Sequence, residues 1–290
     1  MIQAPLSETL VAAFDGMPAQ MRKAARHLLD HPSDVALLSM REQARRAGVR
    51  PAPMTRLAQS LGFPGYDALR ALYAEALRDG PGFAAKADAQ IGTQKLQGDH
   101  GLAAAMLGTL AGQISSLAAP EALGRIAEVA ARMARARRVY VLGLRSSHAI
   151  AWQLHYVLSL IGGRAVLLDG VGGTGSDPIR HAGAEDLLFV VGVRPYTRAV
   201  SHVAAYARSR GVPVAALTDS PVSPLAAGAD AVILVPTSSP SFFHAMAPAF
   251  ALAEVLAALV AGRSGKAGLD SLRGFDAQLA TFDTYLSPEE

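Results

Sequence analysis

Residues 38–61, LSMREQARRAGVRPAPMTRLAQSL, spell two short amphipathic helices joined by a tight turn. Ser39 and Glu42 match the S-x-x-E capping box, in which each side chain satisfies a free amide at the helix start. This helix is predicted to run to about Ala47, with Gly48 as the permissive turn residue. Pro51 then opens a second helix, where a missing N–H costs little. Met54, Leu57, Ala58 and Leu61 recur at i, i+3, i+4 and i+7 as one apolar stripe. The other face carries Ala52, Thr55, Arg56 and Gln59, and Gly62 with Pro64 ends the helix. One face that packs and one that enters a groove is the division a helix-turn-helix needs.

Charge points the same way. Arg41, Arg45, Arg46, Arg50 and Arg56 cluster here, opposed between positions 41 and 56 only by Glu42. Such a patch suits a phosphate backbone. Arg56 and Gln59 are placed to reach base edges, since Arg pairs well with guanine and Gln with adenine. Arg45, Arg46, Arg50 and Thr55 are assigned to phosphates, which set register. The expected partner is double-stranded operator DNA.

The 290 residues suffice for two domains with ample core. A chain that is 51% hydrophobic and 18% charged is globular rather than disordered. A net charge of +3 excludes nucleic-acid binding over the whole surface and confines it to a local patch. With no cysteine there are no disulfides or thiolate metal sites, in keeping with a reducing cytoplasm. Glu8 and Asp15 interrupt the early apolar residues, so no signal peptide is expected. The most apolar run, 245–261, contains Pro248 and Glu254 and is shorter than the roughly 20 residues of a membrane span. It is expected to be a buried helix of a soluble, cytoplasmic protein with no membrane partner. The eight histidines show no metal-ligand spacing.

The first eighty residues read as helices only: Pro18 to about Leu29 stopped near Pro32, the helix-turn-helix pair, and Tyr66 to Arg78 closed by Gly80 and Pro81. Residues 81–119, with scattered glycines and the polar TQKLQGDHG, are expected to be a partly helical linker. From Glu121, helices alternate with apolar strand-like runs at 139–144, 165–169, 186–193, 214–219 and 231–236. Helical segments are expected at 149–161, 197–210 and 242–261. The pattern predicts a parallel sheet flanked by helices over 120–262. A helical tail follows over 263–290, with Leu272, Phe275, Leu279 and Phe282 at helical spacing. Trp152 is expected in the core.

Ligands of open parallel sheets bind outside the carboxyl ends of the strands. The first strand ends in GLRSSHA, with Arg145, Ser146 and Ser147 entering a helix. The third ends in GVRPYTRA, with Arg194, Tyr196, Thr197 and Arg198. Hydroxyls, guanidinium groups and free amides at two helix starts predict an anion pocket. The fourth ends in TDSPVSP with Thr218, Asp219, Ser220 and Ser223, while His244 is expected at the surface. Neither a P-loop nor a G-x-G-x-x-G fingerprint is present, and no cofactor is expected.

A basic helix-turn-helix, a linker and an α/β anion-binding domain together resemble the RpiR/MurR family of bacterial transcription regulators. Residues 22–66 look like its helix-turn-helix domain (1–80 in full) and 120–262 like a SIS (sugar isomerase) domain. The resemblance implies a homodimer or homotetramer whose operator affinity changes with a phosphosugar-class effector, and no enzyme. It maps Ser147 of GLRSS (143–147) onto the serine of the first phosphate turn. It maps GVRPYT (192–197) onto the second, usually S-x-S-G-x-T. Here Gly192 and Arg194 replace both serines, Pro195 replaces the glycine, and Arg145 stands where glycine is frequent; Thr197 alone remains. Guanidinium groups in place of hydroxyls suit a sugar phosphate or a carboxylate. The alternative is a sugar-phosphate isomerase of the SIS type, which needs a general base in the pocket.

Overall fold

The computed structural model describes residues 10, 13–14, 16–31, 34–35, 38–77 and 83–286. The expected stops at Pro32 and at Gly80 and Pro81, and residues Glu8 and Asp15, lie outside them. Four helices make up the N-terminal region: α1 (Ala19–Asp30), α2 (Met40–Arg46), α3 (Pro51–Ser60) and α4 (Tyr66–Leu77). Gly48 at φ 64° turns the chain between α2 and α3, and Gly62 at φ 86° ends α3, both conformations that a side chain resists. Met54, Leu57 and Ala58 are fully buried with Ala24, Leu28, Ala44 and Leu69. The apolar stripe read from the sequence is therefore the packing face.

Gln43 is also fully buried. Its amide nitrogen donates to the Asp34 carbonyl, and its Oε1 meets His27 Nε2 at 2.6 Å. A buried amide needs such partners, and these tie α2 to α1.

Residues 83–116 are more helical than expected. They form α5 (Phe83–Ser116), broken at Gly98 (φ 70°, ψ 173°). The polar composition suggested loop; contacts made far along the chain hold the segment instead. Gln90 Oε1 accepts from the Phe242 amide at 2.9 Å, and Gln113 Nε2 donates to the Ser238 carbonyl at 2.6 Å.

The remainder is a three-layer α/β/α unit. After α6 (Pro120–Arg135) come β1 (Val139–Gly143), a 3-10 turn (Arg145–Ser147), α7 (His148–Leu160), β2 (Ala165–Leu167) and β3 (Leu187–Gly192). They are followed by α8 (Arg198–Ser209), β4 (Val214–Thr218), β5 (Ala231–Leu234) and α9 (Ala247–Thr281). All five predicted strands are present, parallel, in the order β2-β1-β3-β4-β5. The last helix begins later than the sequence suggested, at the residue before Pro248. The expected separate tail is its continuation beyond Gly265 (φ 57°).

Side chains alternate across the sheet. Val139, Val141, Phe189 and Val191 pack with α6, α7 and α9 on one face. Tyr140, Leu142, Leu188 and Val190 pack with α8 on the other. Among the described residues α9 alone is long and apolar enough to cross a membrane. Its apolar half is core, with Leu252, Leu256 and Val260 buried beneath the sheet.

Trp152 is a correction. It is 47% exposed and stacks on Tyr156 with ring centroids 5.3 Å apart. In α7 the buried stripe is Ile150, Ala151, Leu154 and Leu158, so Trp152 and Tyr156, four apart, share the opposite side.

One contact joins the two halves. Val222, in the loop after β4, is 6% exposed and buried in the apolar cluster of the N-terminal helices.

Candidate functional site

Between β1 and β3 the strand order reverses, because β2 lies on one side of β1 and β3 on the other. Such a reversal opens a crevice at the carboxyl ends of both strands. A cavity of about 540 Å³ lies there. Leu144, Arg145, Ser146 and Ser147 line it from the first strand end, and Pro195, Tyr196 and Thr197 from the third.

Gly143, the last residue of β1, lets the turn fold back. A Cβ there would stand 2.4 Å from the Ser147 carbonyl oxygen and 3.0 Å from Ala151 Cβ. This close approach brings Ser146 and Ser147 to the start of α7. Ser147 is 3% exposed, and its side chain makes no capping bond to α7. Thr197, just ahead of α8, likewise makes none. Two helix N-termini, each with positive dipole ends and a hydroxyl not used as a cap, therefore face one cavity.

Arg145 adds a full charge at a conformational cost, since its φ of 55° is left-handed. For a side chain this costs roughly 1–2 kcal/mol. Replacing it by glycine relieves that strain, while the more flexible unfolded chain takes back about 0.4–1 kcal/mol. Arg145→Gly is expected to raise stability by about 0.5–1 kcal/mol while weakening anion binding at least tenfold. Thermal melting with and without inorganic phosphate checks both, and a lower melting temperature would sink the strain argument.

Arg194 and Arg198, assigned to the pocket from sequence, do not line the cavity. The Arg194 amide donates to Asp219 Oδ2 at 3.3 Å, and Arg198 is exposed on the first turn of α8. Asp219 also accepts from the Tyr196 hydroxyl at 2.8 Å. Burial, with Asp219 next, pushes the Tyr196 phenol well above its ordinary pKa. Thr218 and Ser223 bond each other at 3.0 Å inside the protein, so the fourth strand end is satisfied internally.

Three lining residues escaped the sequence analysis. His244, expected at the surface, meets Ser146 Oγ with Nε2 at 2.9 Å. Burial, aided by Lys86, pushes its pKa below the ordinary histidine value, so the imidazole is neutral near pH 7. Phe243 stacks on His244 with centroids 4.2 Å apart, and Phe83 of α5 stacks on Phe243 at 5.6 Å. The cavity thus has one wall on the linker helix, a juxtaposition that no local pattern announces. The glycine-rich loop 170–178 does not line it.

On the N-terminal helices, Arg50, Ala52, Arg56 and Gln59 are exposed along one side of α3. Thr55 is half-buried and its hydroxyl turns to Met40 Sδ, 3.5 Å away. Ser39 caps α2 through the Glu42 amide at 3.3 Å. The Glu42 carboxylate receives Arg45 Nε and Nη2 at 2.9 and 2.6 Å and Arg46 Nε at 3.0 Å. The bond to Arg45, then that to Arg46, lowers the Glu42 pKa to about 2. Arg46 also meets Asp34 at 2.7 Å, so the cluster has a second opposing carboxylate.

Family models match both halves: a helix-turn-helix domain of the rpiR family over residues 6–79 and a SIS domain over 132–259. An RpiR transcription factor from Sphaerobacter thermophilus (sugar isomerase domain) is 30% identical, with a TM-score of 0.56 over 61% of this chain and 98% of that one. The chain belongs to the RpiR family of transcription regulators. The HTH-type transcriptional regulator HexR of Pseudomonas aeruginosa is 25% identical over 242 residues, covering 80% of this chain and 79% of HexR. The Vibrio vulnificus NanR protein complexed with ManNAc-6P shares the fold along 96% of this RpiR-family chain and 98% of its own, at 20% identity and a TM-score of 0.53. A DNA-binding helix-turn-helix joined to a SIS domain makes this protein a ligand-responsive transcription regulator.

Proposed function

We propose that the protein binds operator DNA through α2 and α3, and a small anion in the cavity between β1 and β3. The observation that carries this is Phe83. A residue at the start of the helix that leaves the DNA-binding domain forms a wall of the cavity. An occupant touching Phe83 discriminates between positions of α5, and differential affinity is the only means by which a ligand shifts such an equilibrium. The anion is a sugar phosphate, as in the NanR complex, or a carboxylate. Domain bounds of 1–80, 81–119, 120–262 and 263–290 follow from this division of labour.

The test is binding of the purified protein to DNA from its own upstream region across a salt series. Saturable binding that weakens steeply with salt is expected. Retention no better than on a random fragment would refute the reading. Arg56→Ala is expected to relax preference at one base pair, by about 1–3 kcal/mol. Arg45→Ala should weaken binding to all sequences alike. Because Glu42 already pairs with Arg45, the salt slope should fall by less than the roughly one unit of a free phosphate contact. Fluorescence anisotropy on operator and scrambled duplexes separates the two. Equal losses on both sequences from both variants would contradict these roles.

The protein is proposed to be cytoplasmic, with no membrane partner, and a homodimer or homotetramer. Leu96 and Leu107 on α5 and the Trp152–Tyr156 stack are exposed apolar groups that a second copy would cover. It is proposed not to be an enzyme. The isomerase alternative gains one observation, since the neutral His244 lies where a general base would stand. Turnover of a sugar phosphate that is lost in His244→Gln would establish it. None above background is expected.

A further inference from the structure

We propose that the occupant of the cavity is an aromatic anion rather than a phosphosugar. The proposal rests on the reading of the cavity as an anion-effector site and narrows its ligand class. One end of the cavity carries the anion-binding groups: Arg145, Ser147, Thr197 and two helix N-termini. The opposite wall is different. Phe83 and Phe243 stack nearly parallel, 19° apart, and both are over a third exposed at the cavity mouth. Phe243 continues the stack onto the neutral ring of His244. Val191, Val193 and Pro195 add apolar lining.

A phosphosugar brings several hydroxyls, and each loses water on entering a closed site. Every one then needs a protein partner, or its desolvation stands uncompensated. The side chains suited to that task are carboxylates and amides, which accept from hydroxyls. Among the described residues, none lining the cavity is Asp, Glu, Asn or Gln. The remaining polar groups are largely engaged, Tyr196 with Asp219 and Ser146 with His244. The site can satisfy one anionic head and very few hydroxyls. What it offers the rest of a ligand is flat apolar surface, and aromatic faces prefer to stack on another flat ring. A volume of about 540 Å³ holds a one-ring or two-ring anion comfortably.

The experiment is calorimetric titration of the full-length protein with phenylacetate, phenyl phosphate, glucose 6-phosphate and inorganic phosphate, repeated on Phe243→Ala. Melting curves confirm that the variant is folded, and Phe243→Tyr serves as the conservative control. At least one aromatic anion is expected to bind tenfold or more tighter than glucose 6-phosphate. Phe243→Ala should weaken it at least tenfold more than it weakens inorganic phosphate, and Phe243→Tyr should restore it. Tighter binding of glucose 6-phosphate than of both aromatic anions would overturn the proposal and leave the anion-effector reading standing. Failure of all four probes to bind would overturn both. Aromatic binding that Phe243→Ala leaves unchanged would overturn the stacking site.

Discussion

Gly143→Ala is expected to cost the SIS domain about 2–3 kcal/mol, the upper range for forcing atoms into a packed core. In a domain of this size that lowers the melting temperature by roughly 5–10 °C. The obstacle is backbone. The new Cβ would meet the Ser147 carbonyl oxygen at 2.4 Å, and no rotamer change relieves that contact. Relief requires the 145–147 turn to move away from β1, which withdraws Ser146 and Ser147 from the cavity. Anion binding should fall with stability. Gly124→Ala is the matched control, because that glycine lies inside α6 with no atom within 4 Å of a new Cβ. It should gain about 0.5–1 kcal/mol from helix propensity. Scanning calorimetry on both variants decides the matter, and similar melting temperatures would show that the close approach at Gly143 is unimportant.

Val222→Asp is expected to separate the two halves of the molecule. Val222 is buried in the N-terminal apolar cluster, and a carboxylate placed there without a partner costs several kcal/mol. Undocking the helices avoids that cost, since the remainder of that cluster is drawn from their own residues. The variant should melt in two transitions where the parent melts in one, while Val222→Ile keeps one. DNA affinity should change little, because Val222 is remote in sequence from the exposed side of α3. Regulation should suffer instead. Asp219, three residues before Val222, holds the Tyr196 hydroxyl and the Arg194 amide at the cavity edge. A single unaltered transition would show that the contact couples nothing.

The sheet was largely legible because buried parallel strands are nearly uninterrupted apolar runs, and each run from 139 to 236 became one strand. Ser39, Gly48 and Pro51 announced the helix-turn-helix through local backbone chemistry, which needs no tertiary information. What failed depended on distant partners. Residues 83–116 carry glycines and polar side chains, and Gln90 and Gln113 are held by residues more than a hundred positions away. The helix HAIAWQLHYVLSL is apolar nearly all round, so periodicity could not say that Trp152 faces outward. At the site, Ser147, Tyr196 and Thr197 were readable as strand-end residues. Phe83, Phe243 and His244 were not, since only the folded chain brings a linker helix over a sheet edge. Arg194 and Arg198 misled because adjacency in sequence does not aim a side chain.

The two arginines held by Glu42 and Asp34 carry their own surrogate phosphates. An incoming DNA strand must first evict these tethered carboxylates, so a chance encounter anywhere on the genome gains less from Arg45 and Arg46 than their charge suggests. Where base edges also match α3, the eviction is compensated. Self-quenched charge of this kind widens the gap between idle sliding and a committed stop, and shortens the time lost at wrong addresses.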